Sequence, residues 1–253
     1  MVDLYTSIAT NLFIFGFFGW LISLRTNNVT HVDSMWSFFF VIAYITVLVI
    51  TECLTSRNIA VLMVVLFWAT RLTTHLSIRN FGHSEDIRYQ NIRKNNAPYF
   101  KFKSLYIIFI FQAALALIIS MPLVSIGADS SPYDNYDKLG LMIMVVGISI
   151  EVIADMQLKQ FVRNNPKKVL NAGLWRYSRH PNYFGECLVW WGIYIISMNS
   201  GSFFLLISPI LMTLLLLKIS GVALMENTIT KRRPEYVDYI KKTSSFIPWP
   251  PKK

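Results

Sequence analysis

Charge is scarce in this chain. Only 15% of its 253 residues are Asp, Glu, Lys or Arg and 54% are apolar, whereas roughly a quarter of an ordinary soluble domain is charged. That deficit excludes a soluble globular protein. Cysteine is scarce too. Cys53 and Cys187 both lie inside apolar runs, so they read as small buried hydrophobes and not as a disulfide or a metal pair. With four histidines in all, and none at a ligand spacing from the paired acids, no metal centre is expected. No Gly-x-Gly-x-x-Gly follows a strand, so any nucleotide is bound without a Rossmann domain. Repeats and low-complexity tracts are absent. Met1-Val2-Asp3 supplies no basic n-region, and no small-residue cleavage site follows, so the first apolar run reads as a retained span.

What is present is a succession of apolar runs of 18 residues or more, the mark of a polytopic helical membrane protein. The mean hydropathy is +0.44. Seven spans are expected, at about 4–24, 35–55, 58–78, 104–126, 139–160, 183–198 and 202–224. Asn199-Ser200-Gly201 leaves room only for a tight hairpin between the last two. Basic residues then set the orientation. Of the 24 Lys and Arg, 20 fall in the odd connections and the tail, and only Arg57 and Lys138 in the even ones. This places the N-terminus outside and the C-terminus in the cytoplasm. It also accounts for the net charge of +10 without nucleic acid as a partner. Asn28-Val-Thr matches a glycosylation acceptor, but this topology puts it in the cytoplasm and it is discounted. The expected fold is an all-α bundle of about seven transmembrane helices, one membrane domain over residues 1–253.

Residues 175–186 read Trp-Arg-Tyr-Ser-Arg-His-Pro-Asn-Tyr-Phe-Gly-Glu and lie between a basic loop and an apolar run. Pro181 fits the first turn of a helix, which puts Asn182 and Glu186 one turn apart on one face. Arg176, Arg179 and His180 precede that turn, whose free N–H groups and positive dipole end attract anions, phosphates above all. Snorkelling arginines at an interfacial helix start are the plainer account of the basic residues. Glu186 favours a site, because a carboxylate inside an apolar helix is costly unless paired or used. Glu151 and Asp155 lie one turn apart on the fifth span, followed by Lys159 and Arg163, and the stripe of 151, 155 and 159 points a polar face into the bundle. Arg71 and His75 do the same on the third span. The 79–103 loop mixes charges around a Gly hinge. The tail, from Met225-Glu226-Asn227 through Lys231-Arg232-Arg233-Pro234 to Trp249, suits a short amphipathic helix on an anionic membrane surface.

Gly173–Glu186, Glu151-x-x-x-Asp155 and the tail's Lys-Arg-Arg-Pro-Glu-Tyr and Phe-Ile-Pro-Trp together resemble the membrane proteins that share the steroid 5α-reductase C-terminal domain. Val32-Asp33-x-x-Trp36 and Trp190-Trp191-Gly192 resemble the branch called DUF1295, and the resemblance covers nearly the whole chain. The reductase-like part spans about 104–253. The resemblance implies a membrane reductase that uses NADPH to reduce a carbon–carbon double bond conjugated to a ketone in a hydrophobic, lipid- or sterol-like substrate. It implies that Asn182 and Glu186 hold the nicotinamide end, that Asp155 holds ribose or amide groups, and that Arg163, Arg176 and Arg179 lie near the phosphates. Where the steroid reductases polarise the ketone with a Tyr and Glu pair, this chain offers Asp33, His75 and Tyr89 as proton-donor candidates. The isoprenylcysteine carboxyl methyltransferases share the Arg-His-Pro-x-Tyr-x-Gly stretch and bind S-adenosylmethionine, which is the alternative. A non-enzymatic lipid-binding protein on the same scaffold is a third. The membrane is that of the bacterial inner membrane or the endoplasmic reticulum, with membrane lipids as further partners.

The loop asymmetry predicts that a compartment-sensitive reporter fused after Lys253 is active on the cytoplasmic side; activity on the outside would overturn the seven-span topology.

Overall fold

A computed structural model describes residues 2–165, 168–200, 202–219, 226, 229–230 and 233–252. Among them every regular element is helical; the pairing of Ser178 with Ser244 is an isolated bridge and not a strand. Ten helices follow in order: α1 Val2–Thr26, α2 His31–Thr51, α3 Ser56–Asn80, α4 Ile87–Asn95, α5 Phe100–Ile119, α6 Met121–Gly127, α7 Asn135–Asn164, α8 Pro181–Ser197, α9 Phe203–Lys218 and α10 Tyr236–Lys242. Five of these, α1, α2, α3, α5 and α7, are long and apolar enough to cross a membrane. The two last expected spans appear as the shorter apolar helices α8, of 17 residues, and α9. The coordinates group into two compact units, Met1–Tyr133 and Asp134–Lys253.

In the first unit α2 packs against both α1 and α3. Val32, Phe39, Phe40, Tyr44, Val61, Val65 and Trp68 are fully buried there. Side-chain hydrogen bonds stitch the same helices together, since hydroxyl and amide groups find few other partners in lipid. Thr73 Oγ1 donates to Ser34 O (2.7 Å) and Asn11 Nδ2 to Thr46 Oγ1 (3.0 Å). The expected 104–126 span is interrupted. α5 ends at Ile119, and Pro122, which lacks an N–H, sits in the first turn of α6. The start of α3 carries Arg57, 1% exposed, whose Nη1 reaches Asp129 Oδ2 at 2.7 Å. The two groups come from two even connections, one basic and one acidic, and they neutralise each other.

The second unit is built on α7 and α8. Asp134 starts α7 with a capping box: its Oδ1 accepts from Asp137 N (3.0 Å), and Asp137 Oδ2 accepts from Asp134 N (2.9 Å), so two orphan donors are satisfied reciprocally. The helix then runs 30 residues, about 45 Å at 1.5 Å per residue. That exceeds a hydrocarbon core of about 30 Å, and the last turns, with Lys159 and Arg163, are exposed. Hydropathy located the apolar middle at 139–160; the cap and the polar final turns lengthen the helix at both ends.

α7 and α8 touch backbone to backbone. A Cβ at Gly185 would lie 2.5 Å from Gly147 O, and one at Gly192 would lie 2.6 Å from Gly140 O. Each helix repeats its glycine after seven residues, so two contacts align along an antiparallel pair. Small residues permit this closeness where lipid supplies no hydrophobic drive for helix association. Gly185→Leu is therefore expected to lower the thermal unfolding midpoint in detergent, with an overpacking cost of about 1–3 kcal/mol, because the obstacle is backbone and cannot swing aside. An unchanged midpoint would show that the helices are free to separate there.

Candidate functional site

The glycine contact decides what faces what. One turn beyond Gly147 comes Glu151, 2% exposed, and one turn further Asp155, also buried. From α8, Asn182 Nδ2 donates to Asp155 Oδ1 at 3.1 Å. Glu186, buried, follows one turn deeper. Three acidic residues and an amide thus sit on the mutually facing sides of two helices. Asn182 Oδ1 is buried without a hydrogen-bond donor among the described residues. Leaving a buried carbonyl oxygen unsatisfied costs about 1–3 kcal/mol, so its environment suits a ligand that brings an N–H or O–H. Among the described residues no group of three His, Cys, Asp or Glu is arranged to hold a metal ion.

The outer half of the 173–186 motif does something else. Arg179, 7% exposed, grips Glu226 through Nε (2.7 Å) and Nη2 (3.0 Å). Its Nη1 donates to Thr243 O (2.6 Å) and Ile240 O (3.1 Å). His180 Nε2 lies 3.1 Å from the same Glu226 Oε1, and its ring stacks on Tyr183. The tail is held along its length. Ser178 Oγ donates to Phe246 O (2.7 Å), Arg179 N to Ser244 O (2.9 Å) and Trp249 N to Tyr177 O (2.9 Å). Tyr239 OH donates to Trp175 O, while Trp175 Nε1 donates to Ala154 O at 3.0 Å. Burial raises the Tyr239 hydroxyl above its ordinary range, so it stays a donor. Burial by itself would raise Glu226 as well, but the hydrogen bonds from His180 and Arg179 and the charge of Arg179 outweigh it and bring the carboxyl down to about 2.

A separate network lies within the first unit. Asp33, in the first turn of α2, accepts from Arg88 Nη2 at 2.6 Å and from Tyr89 OH at 2.5 Å. Asp86 caps α4 through Arg88 N (2.9 Å) and also binds Arg88 Nε (2.9 Å). Glu85 accepts from Val29 N (3.0 Å) and from Arg93 Nη2 (2.7 Å), which ties the α1–α2 connection to the α4 segment. Burial, then the charge of Asp33 and the hydrogen bond to it, raise the Tyr89 hydroxyl well above its usual range. Gln112 Nε2 approaches that hydroxyl at 3.4 Å.

The structure thus sorts the sequence candidates. Asp155, Asn182 and Glu186 share one inner surface with Glu151. Arg179 and His180 are occupied by Glu226, so the phosphate role expected of Arg179 would compete with a bidentate carboxylate. Arg163 and Arg176 are exposed and keep their charge toward solvent. Asp33 and Tyr89 are directly bonded; His75 is half-buried on α3, one turn from Arg71. Glu226 is the residue whose importance the sequence understated. Its signal was an acid ahead of the tail's Lys231-Arg232-Arg233 run, and its partner lies 47 residues away. Met225, Asn227, Lys231, Arg232 and Gly201 lie outside the described residues. The tail buries Tyr236 and Tyr239 against its own chain and leaves Val237, Ile247 and Trp249 exposed.

Residues 19–243 match the family model described as "Protein of unknown function (DUF1295)". Among curated proteins the chain is similar to "Uncharacterized protein C594.04c" of Schizosaccharomyces pombe, 25% identical over 215 residues, 72% of this chain. The chain spans 61% of that relative's length. No solved structure matches.

The clamp on the tail is testable. Glu226→Gln leaves the buried Arg179 without its counter-charge, and loss of one partner of a buried pair costs roughly 3 kcal/mol or more. The variant is expected to unfold at lower temperature and to expose Lys241 and Lys242 to trypsin. The contribution has a pH signature, because a depressed carboxyl stabilises the fold only while ionised. It is present in full above the ordinary value of 4.5 and is lost as pH falls through about 2. A wild-type tail equally protected from pepsin at both ends of that range would contradict the pairing.

Proposed function

For a chain that belongs to the DUF1295 family, we propose the function of a membrane-embedded reductase that binds NADPH and reduces the double bond of a lipid- or sterol-like enone. The observation that carries this reading is the acceptor surface between α7 and α8. Asn182 Oδ1 is buried without a donor beside the Asp155 contact, and Glu186 lies one turn deeper. A carboxamide presents two N–H donors, and that surface presents acceptors for them. Asp155, which accepts from the Asn182 amide, would face the ribose hydroxyls. Lys159 and Arg163 follow one and two turns further along α7, in solvent, where they would meet phosphates with charge-assisted hydrogen bonds. Arg176 would add to this field; Arg179 supports it indirectly by fixing the start of α8.

NADPH, when bound, supplies the hydride that adds to the β-carbon of the enone. The part of α7 and α8 is to hold the amide and exclude water; the α-carbon takes a proton in the same reaction. Of the first unit's proton-donor candidates, Tyr89 keeps its proton because burial and the charge of Asp33 raise its pKa. Asp33 orients it. The substrate's hydrophobic character matches a chain with five apolar helices long enough to span a bilayer, and the enone itself rests on the resemblance to steroid 5α-reductases. The bacterial inner membrane and the endoplasmic reticulum both suit such an enzyme.

One observation favours the methyltransferase reading. Buried acids such as Glu151 and Glu186 suit the cationic groups of S-adenosylmethionine as well as an amide. Calorimetric titration of the purified protein with NADPH and with S-adenosylmethionine separates the two, and binding of neither supports a lipid-binding protein. If NADPH binds, Glu186→Gln is expected to weaken it ten- to a hundredfold, since a charge-assisted hydrogen bond contributes about 1.5–3 kcal/mol. The thermal midpoint of the free protein should then change little. Unaltered affinity in a stably folded variant would remove Glu186 from the cofactor site; a large loss of stability would make it a structural ion partner.

A further inference from the structure

The sequence from Ile87 to Ala128 contains no Asp or Glu, yet it carries Arg88, Arg93, Lys94, Lys101 and Lys103. Arg88 is neutralised by Asp33 and Asp86, and Arg93 by Glu85. The three lysines are not matched by any acid within the segment. Lys101 lines a groove of about 370 Å³ together with Arg93, Pro98, Tyr99, Phe100 and Phe102, and Lys94 and Lys103 are next in sequence to its lining residues. Its floor is fixed. The Arg93 guanidinium lies 4.3 Å from the centre of the Phe100 ring, and Trp20 Nε1 donates to Lys101 O at 2.8 Å. Lys103 Nζ donates one hydrogen bond, to Asn96 O (3.2 Å), and has two N–H groups left to give.

The rim is aromatic and open. Tyr99 is 73% exposed and Phe102 65% exposed, and both stand at the start of α5, a helix apolar enough to cross the membrane. Aromatic rings at such a place belong at headgroup depth, beside the ends of lysine side chains. A soluble acidic partner would meet the lysines but leave the rings in water. A phospholipid satisfies both at once, with its phosphate among Lys94, Lys101 and Lys103 and its glycerol and upper acyl carbons against Tyr99 and Phe102. We propose that the Arg93–Lys103 segment is a binding site for the headgroup of an anionic membrane phospholipid. The loop charges assign this end of the chain to the cytoplasmic leaflet, where anionic lipids supply an attractive surface potential. The site is independent of the reductase reading and of the surface between α7 and α8.

The test is the thermal unfolding midpoint of the full chain in neutral detergent, at constant ionic strength. Short-chain phosphatidylglycerol, short-chain phosphatidylcholine and inorganic phosphate are titrated separately. Phosphatidylglycerol is expected to raise the midpoint saturably, by mass action on the folded state, while the other two leave it nearly unchanged. Lys101→Gln should weaken the apparent affinity about fivefold, which corresponds to roughly 1 kcal/mol for one lysine near the surface. Lys101→Arg should retain it. Lys101 is exposed, so the midpoint without lipid serves as the check on folding. Lys241→Gln together with Lys242→Gln, in the tail, should leave the affinity as in the wild type. An equal response to phosphatidylcholine, saturation by phosphate alone, or an equal loss in the tail variant would each overturn the proposal.

Discussion

Two glycines in contact, Gly147 on one helix and Gly185 on the next, set the geometry of the second unit. Where a side chain would hold helices about 8–10 Å apart, the absence of a Cβ lets carbonyl oxygens approach the opposing α-carbons. The repeat at Gly140 and Gly192 keeps the pair in register for two further turns. With register fixed, the polar groups one turn away have no choice of neighbour: Glu151 and Asp155 must look at Asn182 and Glu186. Carboxylates are expensive in an apolar bundle, and here three of them meet at a forced contact.

The 173–186 motif then divides by depth. Its outer residues, Trp175 to His180, bind the tail through backbone carbonyls and the Glu226 carboxylate. Its inner residues, Asn182 to Glu186, belong to the helix contact. One stretch of sequence therefore serves both docking and the site, and Pro181 is the joint between them. This changes the source of the positive charge for an anion. A guanidinium that already satisfies a carboxylate and two carbonyls has little left for a phosphate, so attraction must come from Lys159, Arg163 and Arg176, which keep their charge in solvent. The helix start remains positive for reasons of backbone alone.

Local periodicity made part of this legible. Pro181 announced the start of α8 within the first turn, and four-residue spacing placed Asn182 with Glu186 and Glu151 with Asp155 on shared faces. The apolar runs announced the long helices. Hydropathy fails at helix ends, because it reports where lipid stops and not where the hydrogen-bond ladder stops. Asp134 and Asp137 extend α7 upstream through a reciprocal cap, and exposed Lys159 and Arg163 extend it downstream at no desolvation cost. Long-range partners were the other blind spot. Arg179 with Glu226 and Asp33 with Tyr89 are pairs 47 and 56 residues apart, and nothing in the spacing of either residue names the other. The glycine contact was hidden for the same reason: Gly140 and Gly147 look unremarkable until α8 brings Gly185 and Gly192 opposite them.

The face of α7 changes sign along its length, and that gradient bears on which ligand it suits. Glu151 and Asp155 are buried; Lys159 and Arg163, one and two turns further, stand in or near water. From Glu151 to Arg163 the rise is about 18 Å at 1.5 Å per residue. A cationic ligand such as S-adenosylmethionine would use only the inner, acidic end and would be repelled by the outer one. A small anion would do the reverse. A dinucleotide with a neutral amide at one end and phosphates further along uses both, and each half of it is attracted to its own end of the stripe. The order matters as much as the charges, because an inverted arrangement would bury the cations and leave the amide end without acceptors. That order of charge along α7 is what the proposal of NADPH as the ligand draws on.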